Sequence, residues 1–128
     1  MLVYRAFVVW VLIIAAETVH GVLRQLLLVP VVGDLRARQI GVLIGSAIIL
    51  AIAWALARWL DARSLRAQLA VGAVWVSLTV CFEYALGRLL GLTAERMLAD
   101  YDVARGGFML FGLAFMLVAP VLAARARR

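Results

Sequence analysis

Apolar and polar positions alternate along this chain in long blocks, and the blocks predict four membrane-spanning helices. The second block, residues 40–57, has no charged side chain, and 18 helical residues reach about 27 Å, close to the thickness of bilayer hydrocarbon. The predicted helices cover residues 2–29, 36–60, 65–91 and 105–124. The sequence therefore predicts an all-α integral membrane four-helix bundle formed by a single transmembrane domain.

The composition agrees with a membrane protein and excludes several other classes. Apolar residues make up 67% of the 128 residues, and the mean hydropathy is +1.08. All 13 basic residues are arginine, and they fall between the apolar blocks, where they set topology and meet anionic lipid headgroups, so no nucleic-acid partner is expected. The single cysteine, Cys81, excludes a disulfide within the chain. Because Ala15 and Ala16 follow a short apolar run, a cleaved signal peptide is an alternative interpretation of the N-terminus.

An offset of 66 residues aligns the two halves of the chain and suggests an internal repeat. The aligned pairs include Glu17 with Glu83, Gly21 with Gly87, Asp34 with Asp100, and Gly41 with Gly107. The chain is therefore interpreted as two tandem helical hairpins. Because each hairpin contains two spans, the copies point the same way across the membrane.

The distribution of arginine predicts the orientation. The N-terminus, the middle loop and the C-terminus share seven arginines and one acid, whereas the other side has six arginines and six acids. The positive-inside rule counts basic residues, so both termini are expected in the cytoplasm. The bias is small, and insertion in both orientations remains an alternative.

The first predicted helix contains charged and polar residues on one face. Glu17, His20, and Arg24 follow helical spacing, and such a face avoids lipid by pairing inside the bundle. The repeat adds Glu83 with Arg88 at its edge. We therefore expect a polar seam between the first and third helices, in which the two glutamates meet the two arginines.

The seam has two interpretations. Glu17 and Arg24 lie near the end of the first helix, where interfacial salt bridges could simply fasten the two hairpins together. Alternatively, the seam is a binding or transport site. His20 fits a polar network better than a metal site, because no second ligand residue accompanies it at metal-ligand spacing. No cofactor or metal is expected.

Charged residues between the helices are interpreted as loop and capping residues. Asp34 precedes the second helix, and Asp100 or Asp102 precedes the fourth, where carboxylates can accept hydrogen bonds from free backbone N–H groups. Arg38 and Arg105 correspond in the repeat with one residue of slippage. The segment TAERMLAD, residues 93–100, is predicted to form one or two helical turns on the membrane surface.

The layout resembles that of the small multidrug resistance transporters. Four spans, a similar length, and a membrane glutamate at Glu17 carry this resemblance, which implies exchange of protons for a cationic substrate at that carboxylate. The patterns ETVHGVLRQ, PVVGDLRARQIGV and LADYDVARGG also resemble small bacterial inner-membrane proteins without an assigned activity. That similarity implies a location in the bacterial inner membrane.

Two classes of function follow from these patterns, and an enzyme is not expected because no catalytic motif is present. The first class is a noncatalytic membrane protein with a structural, assembly or accessory role. The second is a small dimeric proton-coupled transporter or channel, for which arginines in the seam favour an anionic solute or a lipid phosphate. The expected partners are the lipid bilayer and either a second copy of the chain or a larger membrane complex.

Overall fold

The computed structural model describes residues 2–99, 101, 102, 104 and 106–127, and every regular element within these residues is helical. Four of these helices are long and apolar enough to cross a membrane. The prediction of an all-α fold with four spans is therefore confirmed, and the chain is a multi-pass membrane protein. The internal repeat stays a prediction.

The first span runs from Leu2 to Val32 and changes its winding near its end. It consists of α1 (Leu2–Leu23), a π-helical segment (Arg24–Leu28) and α2 (Val29–Val32). Proline lacks an N–H and its ring collides with the carbonyl four residues earlier, so a wider π turn before Pro30 relieves this collision. The span consequently continues past Pro30, three residues beyond its predicted end.

The next two spans are separated by a short connection. Helix α3 (Asp34–Leu60) begins after Gly33, whose φ of 88° is a conformation that glycine adopts easily. Helix α4 (Leu65–Leu89) begins at an N-cap, where the Ser64 side chain accepts a hydrogen bond from the Ala67 backbone N–H at 3.0 Å.

A short helix and the last span complete the chain. Helix α5 (Ala94–Ala99) coincides with the predicted surface turns, and the Thr93 side chain accepts a hydrogen bond from the Arg96 backbone N–H. Helix α6 (Met109–Ala126) begins four residues later than predicted because Gly106, with a φ of 89°, turns the chain just before it. Pro120 lies inside α6.

The four long helices form a bundle in which α1 and α6 each pack against both α3 and α4. The polypeptide crosses up and down, so α1 and α4 are parallel to each other and antiparallel to α3 and α6. The start of α1, the α3–α4 loop and the end of α6 lie together, and we call this end the termini end. The opposite end, which contains α5, is the α5 end.

Bulky apolar side chains fill the half of the bundle nearest the termini end. Val9, Ile13, Val71 and Trp75 are fully buried there. They share this core with Ala6, Trp10, Ile49, Ala53, Leu60, Ala62, Met116, Ala119 and Ala123. Long-range packing of this kind excludes water and lipid from this half of the bundle.

Two tryptophans tie α1 to α4 within this core. The Trp10 indole N–H donates to the Thr79 hydroxyl at 3.0 Å, and the Trp75 indole N–H donates to the Ala6 carbonyl at 2.9 Å. The Thr79 hydroxyl in turn donates to the Met116 sulfur at 3.4 Å, which adds α6 to the network. These bonds satisfy polar groups that neither lipid nor the apolar core could accommodate.

The capping predictions for α3 and α6 are wrong for the described residues. Gly33 occupies the N-cap position of α3 and Phe108 that of α6, and neither cap involves a side-chain hydrogen bond. Asp34 is instead the first residue of α3, where its negative charge interacts favourably with the helix dipole. Asp102 precedes α6 without occupying its cap, and Asp100 lies outside the described residues.

Candidate functional site

The inner face of α1 changes character along its length. Trp10 and Ile13 belong to the apolar core, and Glu17, His20 and Arg24 continue the same helical face toward the α5 end. All three polar side chains are partly buried, so the interior of the bundle becomes polar above the core.

The polar face of α1 packs against two glycines of α3. A Cβ atom added at Gly45 would lie 2.6 Å from the Glu17 Oε2 atom. One added at Gly41 would lie 3.1 Å from Arg24 Cδ and 3.7 Å from His20 Cε1. The absence of side chains at Gly41 and Gly45 therefore makes the space that the glutamate and the arginine occupy.

The sequence predicted that the polar face of the first span meets the third span. The structure packs this face against glycines of the second span, α3, as well. The two glycines of α3 thus accommodate polar side chains of α1.

Glu83 of α4 belongs to the same region of the bundle. It lies four residues after Thr79 and four before Gly87, both of which are buried, so its position on the helix surface is between theirs. Its charge repels that of Glu17, whereas Arg24 attracts Glu17. Glu83 therefore lies close enough to Glu17 for their charges to interact.

The relative heights of the two acids follow from the tryptophan bonds. Trp10 with Thr79 and Ala6 with Trp75 define one register between α1 and α4. That register places Glu83 level with Ile14, so Glu17 lies three residues, about 4.5 Å, nearer the α5 end.

Glu83 is exposed although the residues on either side of it along this face are buried. Glu83 therefore combines a position between two buried residues of α4 with an exposed side chain. We call the region formed by Glu17, Arg24, Gly41, Gly45 and Glu83 the polar groove.

Two atoms of the polar groove lack hydrogen-bond partners among the described residues. Glu17 Oε1 and Arg24 Nε are both buried, and neither has a donor or acceptor within hydrogen-bonding distance. No described ion pair joins these two residues either. Buried polar atoms are usually satisfied in folded proteins, so this pair requires a physical explanation.

The polar groove is closed toward the termini end and partly covered at the α5 end. The apolar core around Trp10 and Trp75 lies directly below it. Above it, the Met97 side chain of α5 packs against Gly87, where an added Cβ would lie 2.5 Å from its sulfur. Arg96 of α5 also lies 3.7 Å from Asp34 of α3, so α5 bridges α4 and α3.

Arg88 is not brought into the polar groove. It is exposed and lies on the outer face of α4, four residues after the exposed Tyr84. Helical geometry separates it from Glu83 by about 140°. Arg88 therefore does not take part in the predicted cluster of two glutamates and two arginines.

The remaining charged candidates lie around the α5 end. Arg38 donates to Asp34 at 3.0 Å, an ion pair within the first turns of α3. The backbone carbonyl of Asp102 accepts a hydrogen bond from the Gly107 N–H, which shapes the turn before α6. Arg105 lies outside the described residues. Within the part of the chain that the structure describes, no group of three metal-ligating side chains comes together.

Sequence reasoning missed the role of Gly41 and Gly45 as the opposite wall of the groove. Their spacing of four residues, starting eleven residues after Pro30, was visible in the sequence. What was missing was the pairing of helices, which depends on the tryptophan contacts between α1 and α4. Comparisons with protein families, with curated proteins and with solved structures find no match to this chain.

Proposed function

We propose that this chain is a small proton-coupled membrane transporter or channel for an anionic solute, with the polar groove as its binding site. One observation carries the proposal. Glu17 Oε1 and Arg24 Nε are buried inside a membrane bundle without hydrogen-bond partners. Such atoms are costly in an apolar environment unless a proton, water or a ligand satisfies them.

Each group in the groove has a chemical role in this proposal. The Arg24 guanidinium presents a planar set of donors that matches the oxygens of an anion. Glu17 and Glu83 carry like charges near each other, an arrangement in which binding of one proton relieves repulsion. Uptake of a proton by this pair therefore favours binding of an anion at Arg24, which couples the two.

The location of the protein is part of the proposal. The excess of arginine at the termini end and the resemblance to small bacterial proteins support placement in the bacterial inner membrane with both termini in the cytoplasm. The groove then opens toward the periplasmic side. Movement of a solute to the cytoplasm requires the apolar core to separate, and a second copy of the chain could supply further walls.

Solid-supported membrane electrophysiology on the purified protein in liposomes tests this function. We expect a current when small anions are applied together with a proton gradient. Glu17→Gln and Arg24→Gln should each reduce it at least about tenfold, the effect of losing one charge-assisted hydrogen bond.

Matched controls remove the same charges elsewhere. Glu95 of α5 and Arg36 of α3 are exposed and lie outside the groove, so Glu95→Gln and Arg36→Gln should leave the current unchanged. Equal losses in the groove variants and in their controls would contradict the proposal. A wild-type protein that carries no current for any anion would also contradict it.

A structural or assembly role is the second candidate, and the packing of Glu17 and Arg24 against Gly41 and Gly45 favours it. The polar side chains fill the space beside these glycines and could fix α1 against α3. This candidate predicts that Glu17→Gln lowers the thermal stability in detergent. It also predicts that adding Arg24→Gln partly restores that stability, because the two charges would then be removed together.

A further inference from the structure

The termini end of the bundle contains a cleft that the proposed transport function does not use. Its volume is about 250 Å³, and it is lined by residues from the end of α3, the α3–α4 loop, the start of α4 and the end of α6. The polar lining residues are Arg58, Asp61, Arg63, Gln68 and Arg127. Three arginines against one aspartate give this cleft a net positive charge.

Arg127 is held in a defined position in this cleft. Its guanidinium carbon lies 4.4 Å from the centre of the Trp54 ring, a distance typical of a cation–π contact. Its Nε atom is buried and has no hydrogen-bond partner among the described residues. The contact with the Trp54 ring therefore holds the Arg127 side chain in place at the edge of the cleft.

The other two arginines of the cleft, Arg63 and Arg58, differ in whether another side chain already binds them. Arg63 donates to Asp61 at 2.6 Å, and this hydrogen bond raises the pKa of a guanidinium that is charged at all physiological pH values. An anion in the cleft must therefore compete with the Asp61 carboxylate for Arg63. Arg58 lines the cleft and is exposed, and no described ion pair includes it.

Two further features favour an anion at this position. Helix α4 begins beside the cleft, and the N-terminal end of a helix of 25 residues attracts negative charge. The buried Gln68 donates to the Ala62 carbonyl at 2.9 Å, which holds the loop against the start of α4. The cleft wall is thus fixed by hydrogen bonds and does not depend on the ligand.

We propose that this cleft binds a phosphate group, with Arg127 and Arg58 as its main contacts and with the headgroup of an anionic phospholipid as the principal source of the phosphate. Arginine matches phosphate oxygens with two parallel hydrogen bonds. Trp54 is 44% exposed on the outside of the bundle, so its partner Arg127 is positioned where lipid headgroups approach.

Native mass spectrometry of the full chain in detergent tests the site. The protein is titrated with phosphatidylglycerol, with phosphatidylcholine and with inorganic phosphate. We expect phosphatidylglycerol to bind in preference to phosphatidylcholine, and Arg127→Gln to weaken binding about tenfold. Arg125→Gln is the matched control, because Arg125 is exposed near the same helix end and does not line the cleft.

A gain of affinity provides a second readout that misfolding cannot imitate. Asp61→Asn removes the carboxylate that competes for Arg63, and asparagine tolerates the left-handed backbone of this position, where φ is 56°. We expect Asp61→Asn to bind phosphatidylglycerol more tightly than the wild type. If Arg127→Gln does not fold, Arg58→Gln carries the loss-of-binding test.

The possible outcomes distinguish a lipid headgroup from soluble phosphate, and two of them would overturn the proposal. Displacement of the lipid by millimolar inorganic phosphate would assign the site to a soluble phosphate, and resistance to displacement would assign it to the lipid headgroup. Equal weakening by Arg127→Gln and Arg125→Gln would overturn the proposal, since it would indicate a diffuse basic surface. Unchanged affinity in Asp61→Asn would overturn it as well.

Discussion

The glycines of this bundle differ in the atoms that a side chain at each position would contact. These contacts indicate which glycines the packing requires. At Gly45, an added methyl group would contact the flexible end of Glu17, which can move. At Gly72, it would overlap with the backbone carbonyl of Leu117 in α6, which cannot move without shifting the helix. Gly72 is therefore a structural requirement of the α4–α6 contact.

We predict that Gly72→Ala destabilises the protein by about 3 kcal/mol, because overpacking in a closely packed contact costs roughly 1–3 kcal/mol and a backbone atom cannot rotate away. The measurement is thermal or denaturant unfolding in detergent micelles. Gly21→Ala is the matched control, since nothing lies within 4 Å of a Cβ at Gly21.

The control should be neutral or slightly stabilising, because alanine is favoured over glycine in a helix by about 1 kcal/mol. If Gly72→Ala is as stable as Gly21→Ala, the close approach of α4 and α6 at Leu117 is wrong.

Residue-scale chemistry was only partly predictable from the sequence. Helical spacing alone placed Glu17, His20 and Arg24 on one face, and the structure agrees. The spacing could not tell which helix the face meets, since that choice depends on distant contacts such as Trp10 with Thr79. The same limit explains why Arg88 was expected near Glu83 but lies on the outer face.

At the scale of elements, the hydrogen-bonded chain from Trp10 through Thr79 to Met116 connects three helices. Thr79 is the central member and is 5% exposed, so water cannot replace it. Its hydroxyl both accepts from α1 and donates to α6. Loss of this one group therefore affects the packing of α1, α4 and α6 together.

We predict that Thr79→Val lowers the free energy of unfolding by about 1–3 kcal/mol, because the buried Trp10 indole N–H loses its acceptor. Thr79→Ser keeps the hydroxyl and should cost less than Thr79→Val. Unfolding of the purified variants in detergent provides the comparison. Equal stability of Thr79→Val and the wild type would show that this network contributes nothing.

The helix boundaries show which features of the helices could be predicted from the sequence. The apolar blocks predicted all four spans because burial in lipid demands long apolar helices. The ends were less predictable, since they depend on local backbone geometry. The first span was predicted to end at residue 29, but the π-helical segment Arg24–Leu28 allows the helix to continue past Pro30. Conversely, Gly106 delays the start of α6 through a backbone conformation that composition does not reveal.

At the scale of the whole molecule, the two halves of the bundle have opposite character. Large apolar side chains and indole hydrogen bonds close the half at the termini end. Charged side chains and glycines line the half at the α5 end. The bulky apolar packing is therefore concentrated in one half of the bundle, and the other half is more polar.

The central claim is that Glu83 faces a hydrated groove inside the bundle rather than lipid. Cysteine accessibility in liposomes measures this directly. The exposed native cysteine is first removed by Cys81→Ser, and then Glu83→Cys and Tyr84→Cys are made separately. Both positions are exposed, but Glu83 lies between buried residues of the inner face whereas Tyr84 lies on the outer face.

A water-soluble, membrane-impermeant thiol reagent should modify Glu83→Cys rapidly and leave Tyr84→Cys unmodified, because the reaction requires water around the thiol. Ile13→Cys, in the fully buried apolar core, should also remain unmodified. Labelling of Tyr84→Cys as fast as Glu83→Cys, or protection of Glu83→Cys from the reagent, would contradict the account and remove the polar groove as a site.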